Sequence, residues 1–273
     1  MTFFEKLDFS VNKNNSLVCI GLDTDPSKIP RCLLEESDDH IFEFNKAIID
    51  ATFDLVCAYK PNSAYYEAQG VEGLASLEKT IDYIYSTYPE IPVILDVKRG
   101  DIGSTSSQYA KSAFDYLRAD AITLNPYLGF DSIDPFLRYP DKGCIILCRT
   151  SNESASDFQD LESGGKPLYI KIAEKINEWD KISHNCLMVV GATWPEQMEQ
   201  IRKIVPEMNL LVPGIGKQGG NLEGTLKAGL RADKAGLIIN SGRSIIYASS
   251  GVDFASKARI ETQKLQAEIN KHR

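Results

Sequence analysis

The densest run of reactive side chains is Asp96-Val97-Lys98-Arg99-Gly100-Asp101, at the end of an apolar stretch. Asp96 and Lys98 stand two apart, so on a strand they share a face, and Asp101 follows the turn made by Arg99-Gly100. A lysine held charged between carboxylates can donate a proton where negative charge develops on a substrate. A structural ion pair at a strand end is the plainer reading, and residue types alone leave both open. A second group is Pro213-Gly214-Ile215-Gly216-Lys217-Gln218-Gly219-Gly220, followed by Asn240-Ser241-Gly242-Arg243-Ser244. Glycines let a backbone approach a ligand closely, and a helix starting near Arg243 would aim free N–H groups at an anion. Arg243 adds a bidentate clamp. These two segments predict a phosphate site, against the alternative that the glycines only turn the chain.

Eight short apolar runs precede or contain these groups: Leu17–Asp23, Leu55–Asn62, Pro92–Lys98, Ala121–Pro126, Cys144–Thr150, Cys186–Thr193, Asn209–Gly214 and Ala235–Asn240. Most do not alternate with polar residues, as expected of strands buried on both faces of a parallel sheet. Helical spacing separates most of them, as in 42–49, 73–85, 109–117, 169–179, 195–204 and 224–230, and 254–269 reads as a closing helix. Eight β-then-α units in about 250 residues predict an α/β protein with a (β/α)8 TIM barrel fold. A doubly wound open sheet is the alternative, but the first strand ends in Gly21-Leu22-Asp23-Thr24 and carries no G-x-G-x-x-G. No Ser/Gly/Pro-rich linker divides the chain, so residues 1–273 are expected to form a single domain. Polar residues gather at the ends of the runs: Asp23, Lys60, Asn62, Asp96, Lys98, Asn125, Thr150-Ser151-Asn152 and Arg243. In a barrel these ends converge on one mouth, and the seventh and eighth loops often hold phosphate. The insertions 25–40 and 153–167 follow strands and fall on that same face.

Composition excludes other classes. Thirty basic against thirty-eight acidic residues give a net charge of −8, which argues against a nucleic-acid partner. No apolar run approaches the roughly 20 residues of a membrane span, and Met1-Thr2-Phe3-Phe4-Glu5-Lys6 does not read as a signal peptide. Six scattered cysteines, five of them in strand-like runs, read as buried free thiols of a cytoplasmic protein. Cys144 and Cys148 do not make a metal knuckle, and neither His40 nor His184 is placed to be a base. Tyr65, Tyr66, Trp179 and Trp194 read as packing or interface residues.

The stretch Asp96-Val97-Lys98-Arg99-Gly100-Asp101-Ile102-Gly103-Ser104-Thr105 resembles the Asp-x-Lys-x-x-Asp-Ile-x-x-Thr signature of the orotidine 5′-phosphate decarboxylase family. The resemblance runs through Gly21-Leu22-Asp23, Tyr59-Lys60-Pro61-Asn62, Thr150-Ser151-Asn152, the segment from Pro213 to Gly220, and Gly242-Arg243-Ser244-Ile245. Chain length and Ala58–Glu67 resemble the longer bacterial (type 2) branch. It implies a cofactor-free, metal-free conversion of orotidine 5′-monophosphate to uridine 5′-monophosphate and CO2, in pyrimidine biosynthesis. By this resemblance Lys98 is the proton donor to C6, Asp96 lies beside the departing carboxylate, and Lys60 and Asp101 complete a charged array. Asp23 and Lys60 contact the ribose, and Ser151 reads the pyrimidine edge. Gln218, Gly242 and Arg243 hold the phosphate, Pro213 is a further substrate contact, and 216–220 is the lid. Asp101, Ile102 and Thr105 reach into the partner's site, so the active unit is a homodimer. Two alternatives remain: a Mg2+-dependent relative on the same barrel that stabilises an enediolate, such as a keto-gulonate-phosphate decarboxylase or hexulose-phosphate synthase, and a catalytically silent barrel that binds a phosphorylated metabolite.

Overall fold

The computed structural model describes residues 1–34, 37–215 and 221–273. Each of the eight apolar runs forms a strand: β1 (Val18–Leu22), β2 (Ala58–Pro61), β3 (Ile94–Arg99), β4 (Ala121–Leu124), β5 (Gly143–Arg149), β6 (Cys186–Val190), β7 (Leu210–Val212) and β8 (Leu237–Ser241). All pair in parallel in chain order, and β8 returns to β1, as in Cys19 opposite Asn240. Between β2 and β3 the contact is reduced to the bridges Tyr59–Val93 and Asn62–Asp96, which close the barrel. Parallel strands covered on both faces must be apolar throughout, and β1, β4 and β6 are buried at every position.

The outer helices bury one stripe each. In Gly70–Thr87 the stripe includes Leu77, Ile81 and Ile84, each contributing roughly 1.5–3 kcal/mol as its side chain leaves water. His40–Thr52 starts where the Asp39 carboxylate accepts from the Phe42 N–H, satisfying one of the donors a helix start leaves free. Pro195 opens Pro195–Ile204, where its missing N–H costs nothing. The expected helix over 109–117 begins earlier, at Gly103, and passes after Lys111 into one π-helical turn, Ser112–Tyr116. The helices Phe3–Lys13 and Phe130–Leu137 were not expected from the sequence. Phe3–Lys13 covers the barrel's N-terminal face: the Phe3 N–H donates to Asp141 O, and buried Lys6 pairs with Asp120 at 2.8 Å, just before β4.

The insertion after β5 contains the short helix Ser156–Gln159 and a two-stranded ribbon, Glu162–Ser163 against Lys166–Pro167. Gly164 and Gly165 both have positive φ (62° and 72°), the backbone a two-residue hairpin turn requires.

Candidate active site

Lys60 rises from β2 and Asp96 from β3, and the two meet at 2.6 Å in a nearly closed environment. Lys98 Nζ lies 2.6 Å from the other Asp96 oxygen, with its side chain half exposed. One carboxylate therefore bridges two ammonium groups. Burial works against the Asp96 charge, but Lys60 and Lys98 outweigh it and hold the carboxyl well below the usual carboxylate range. The converse holds for Lys60: burial favours the neutral amine, yet the charges of Asp96 and Asp23 raise its pKa above the ordinary value. Asp23, at the end of β1, is pushed up by burial and by Asp96, with Lys60, Lys98 and Arg243 offsetting part of the rise.

Asp96 and Lys98 do meet, but not through the regular alternation expected of the strand. The β3–β4 register shifts between Leu95 and Arg99, and Lys98 has φ 48°. A left-handed lysine costs of order 1–3 kcal/mol and persists only where its surroundings impose it. Here the buried Thr123 on β4 does so. Its hydroxyl oxygen accepts from the Val97 and Lys98 N–H groups at 2.9 Å each, and its O–H donates to Asp96 at 2.9 Å. Thr123 was not singled out in the sequence, because a threonine in an apolar run reads as an ordinary strand former.

Asp23 is held from behind. Tyr247 donates to the Asp23 carbonyl at 3.0 Å and accepts from the Asp25 N–H. The buried Tyr66 donates to the Leu22 carbonyl at 3.0 Å. Gly21 leaves room beside them: a Cβ there would sit 3.3 Å from Gly242 Cα, and 3.4 and 3.5 Å from Asn240 Oδ1 and Asp23 Oδ1. Those two oxygens are buried without a hydrogen-bond partner among the described residues, the condition of acceptors awaiting a ligand's hydroxyls or a water. Asn240 sits in the Gly-rich segment, where residue type alone gives no sign of this buried, unpaired oxygen.

Two cavities meet over this group. One, of about 160 Å³, is lined by Asp23, Asn240, Pro213, Gly242 and Arg243 among others. The second, of about 460 Å³, is lined by Lys98, Thr123, Thr150, Ser151, Asn152 and Gln159, with an apolar floor including Leu147 and Val189. They share Lys60, Asp96 and Pro213. A ligand spanning both would therefore place its middle over the Lys60–Asp96–Lys98 group, with one end at exposed Arg243 and the other at Ser151. Among the described residues Arg243 has no acidic partner within ion-pair distance, leaving its guanidinium available to an anion.

Three predicted residues stand apart. Asp101 accepts from the Ile102 N–H, while Ile102 and Thr105 are exposed. Neither cavity is lined by any of the three. Gln218 and the whole expected lid, 216–220, lie outside the described residues. His40 contacts the Leu33 carbonyl and His184 ends a helix in left-handed conformation, so neither enters the site. The six cysteines are free. Among the described residues no cluster of three or more potential metal ligands is found.

Comparison with known proteins points the same way. The family model described as orotidine 5′-phosphate decarboxylase / HUMPS family matches residues 16–258. The chain is 55% identical over 271 residues to the orotidine 5′-phosphate decarboxylase of Cellvibrio japonicus, covering 99% of this chain and 98% of the relative. It is 51% identical to that of Ralstonia nicotianae, with both chains covered in full. Among solved structures, the Leishmania donovani OMP decarboxylase superposes with a TM-score of 0.85 at 38% identity, covering 100% of this chain and 98% of that one. A putative orotidine-monophosphate decarboxylase from Toxoplasma gondii gives a TM-score of 0.89 at 36% identity, covering 99% and 96%. With the barrel, its charged mouth and full-length relatives in agreement, the chain belongs to the orotidine 5′-phosphate decarboxylase family and is a carboxy-lyase of that type.

Proposed function

We propose that this protein decarboxylates orotidine 5′-monophosphate without a cofactor or metal, and that Lys98 donates the proton to C6. The observation that carries the reading is the placement of the Lys60–Asp96–Lys98 group where an anion-accepting cavity meets a half-apolar one. The bond from C6 to the carboxylate breaks, CO2 departs, and the electron pair stays in an in-plane orbital that the ring π system cannot delocalise. Lys98 Nζ gives up a proton to C6 as that charge develops, and its half-exposed side chain can regain one from solvent. Lys60 and Lys98 flank Asp96, and their positive charges stabilise the carbanion as it develops, while Asp96, Asp23 and the neighbour's Asp101 hold both ammonium groups charged. Asp96 lies beside the carboxylate that leaves. Asp23 and Lys60 take the ribose hydroxyls, Ser151 the pyrimidine edge, and Gln218, Gly242 and Arg243 the phosphate, with Pro213 a further contact where the two cavities meet. Phosphate binding far from C6 supplies energy that organises the site and raises turnover as well as affinity.

The reading includes a homodimer of single-domain chains (residues 1–273), each lending Asp101, Ile102 and Thr105 to its neighbour. Exposure of Ile102, Tyr127, Leu128 and Phe130 after β3 and β4 supports a covered face there. It also includes a cytoplasmic location, which suits six free cysteines. The test is addition of orotidine 5′-monophosphate to protein treated with a chelator. The orotate absorbance should fall as uridine 5′-monophosphate accumulates. Activity that requires added Mg2+, or none toward this substrate, would overturn the reading.

A further inference from the structure

The insertion after β5 is packed against the site rather than hanging from it. The strand bulges at its end: Leu147 pairs with Val189 but Arg149 with Val190, so Cys148 is the extra residue. Bulges re-aim side chains, and this one accompanies an Arg149 side chain with no solvent exposure. The guanidinium carbon lies 4.2 Å from the Trp194 ring centre and 5.8 Å from that of Tyr169. Its two terminal nitrogens donate to Gln159 Oε1 and Asp160 Oδ2, both at 3.1 Å and both in the insertion.

Gln159 passes the connection to the neighbouring residue. Its Oε1 also accepts from the Thr150 N–H at 2.9 Å, and its Nε2 donates to the Thr150 hydroxyl at 2.8 Å. That hydroxyl donates to Asn152 Oδ1 at 2.6 Å. The Trp194 indole N–H donates to the Thr150 carbonyl at 2.9 Å. Thr150 is therefore held at its N–H, its C=O and its side chain by two residues from different segments, both in contact with one buried arginine. The next residue is seated closely too, since a Cβ on Gly191 would come within 2.8 Å of Ser151 N and Cα.

We propose that Arg149, Gln159 and Trp194 are positioning residues that fix the Ser151–Asn152 loop, making the 153–167 insertion the element that sets discrimination at the pyrimidine edge. This rests on the reading of Ser151 as the contact to that edge. An edge that offers a carbonyl and a ring N–H differs from one that offers an amino group and a bare ring nitrogen only in where donors and acceptors stand. Distinguishing the two demands groups that do not rotate or shift to suit the wrong partner. A loop anchored only at its ends would accommodate both.

The probes are uridine and cytidine 5′-monophosphate, measured as competitive inhibitors of the wild-type protein and of Gln159→Leu, Gln159→Glu and Trp194→Phe, alongside kcat, KM and thermal midpoint. Gln159→Leu keeps the bulk and removes the Thr150 contacts. Gln159→Glu retains the acceptor for the Thr150 and Arg149 N–H donors and removes only the donor to the Thr150 hydroxyl. Trp194→Phe keeps a ring over Arg149 and deletes one N–H, so it carries the test should Gln159→Leu fail to fold. The wild type should prefer the uridine nucleotide by about tenfold or more. Gln159→Leu and Trp194→Phe should each lower that preference by about fivefold or more, raising KM more than they lower kcat, and Gln159→Glu should keep most of the preference. A purely structural role would move the thermal midpoint and leave the ratio of the two inhibition constants alone. An unchanged ratio in folded Trp194→Phe, or no preference in an active wild type, overturns the proposal by itself. A wild type that neither turns over orotidine 5′-monophosphate nor binds the uridine nucleotide overturns the functional reading, and the clamp's role with it.

Discussion

Replacing Thr123 by Val removes one oxygen and almost no volume, so its consequences isolate the hydroxyl. That oxygen serves three partners at 2.9 Å: the Val97 and Lys98 amides and the Asp96 carboxylate. Thr123 is 1% exposed, so its partners are buried with it, although it also borders the larger cavity. A buried amide deprived of its acceptor costs about 1–3 kcal/mol. Two such amides set an upper range of about 2–6 kcal/mol, which relaxation of the bulge and solvent at the rim should bring to about 2–4 kcal/mol. The relaxation is what damages the chemistry. Lys98 holds a left-handed backbone that the lost hydrogen bond no longer enforces, and a shift of about 1 Å in a reacting group costs roughly 10²-fold in rate. Urea unfolding should show the stability loss. Initial rates on orotidine 5′-monophosphate should show kcat down about 10²-fold, with KM changing far less because the phosphate end is untouched. Thr123→Ser restores the oxygen and should recover most of both. A folded Thr123→Val enzyme with kcat within about threefold of wild type would refute the assignment of the Lys98 geometry to this hydroxyl.

Arg243→Ala should raise KM by about 10–150-fold, the worth of a charge-assisted hydrogen bond, while turnover of orotidine itself, which lacks the phosphate, stays close to wild type; equal losses on both substrates would contradict a phosphate role. Mixing inactive Asp101→Ala chains with inactive Lys98→Ala chains under conditions of subunit exchange should restore about a quarter of the wild-type sites, since half the dimers are hybrids with one intact site of two; demonstrated exchange with no recovery counts against the shared site. Asp96 has a lower pKa in the fold than in the unfolded chain, so the unfolded chain binds its proton first on acidification and the stability Asp96 contributes declines as pH falls through the ordinary carboxylate range and below. The stability gap between wild type and Asp96→Asn, followed by urea unfolding from neutral pH to about pH 3, should narrow with acid; a gap that stays constant contradicts the shift.

The barrel was legible because burial on both faces forces near-continuous apolar runs, and all eight became strands. The charged mouth was legible because Lys60, Asp96 and Lys98 are costly at strand ends without a partner or ligand. What escaped depended on contacts distant in sequence. Lys6 inside Phe3–Lys13 is buried only because Asp120, 114 residues away, meets it. The bulge at Lys98 follows from a threonine on the next strand. Tyr66 and Trp194 read as packing residues; both are at least partly buried, but their hydrogen bonds to the Leu22 and Thr150 carbonyls emerge only from the folded chain. Asp101, partly buried, and the exposed Ile102 and Thr105 stand away from both cavities.

In the proposed mechanism one ammonium group, that of Lys98, protonates the carbon that CO2 leaves. Lys98→Ala deletes it at a half-exposed position and leaves the Lys60–Asp96 pair in place, and the direct measurement is single-turnover decarboxylation of bound orotidine 5′-monophosphate by that variant. The variant should unfold in urea as a folded protein does, retain binding of the nucleotide, and decarboxylate at least about 10³-fold more slowly. A folded Lys98→Ala protein that still releases CO2 within about tenfold of the wild-type rate would contradict that mechanism.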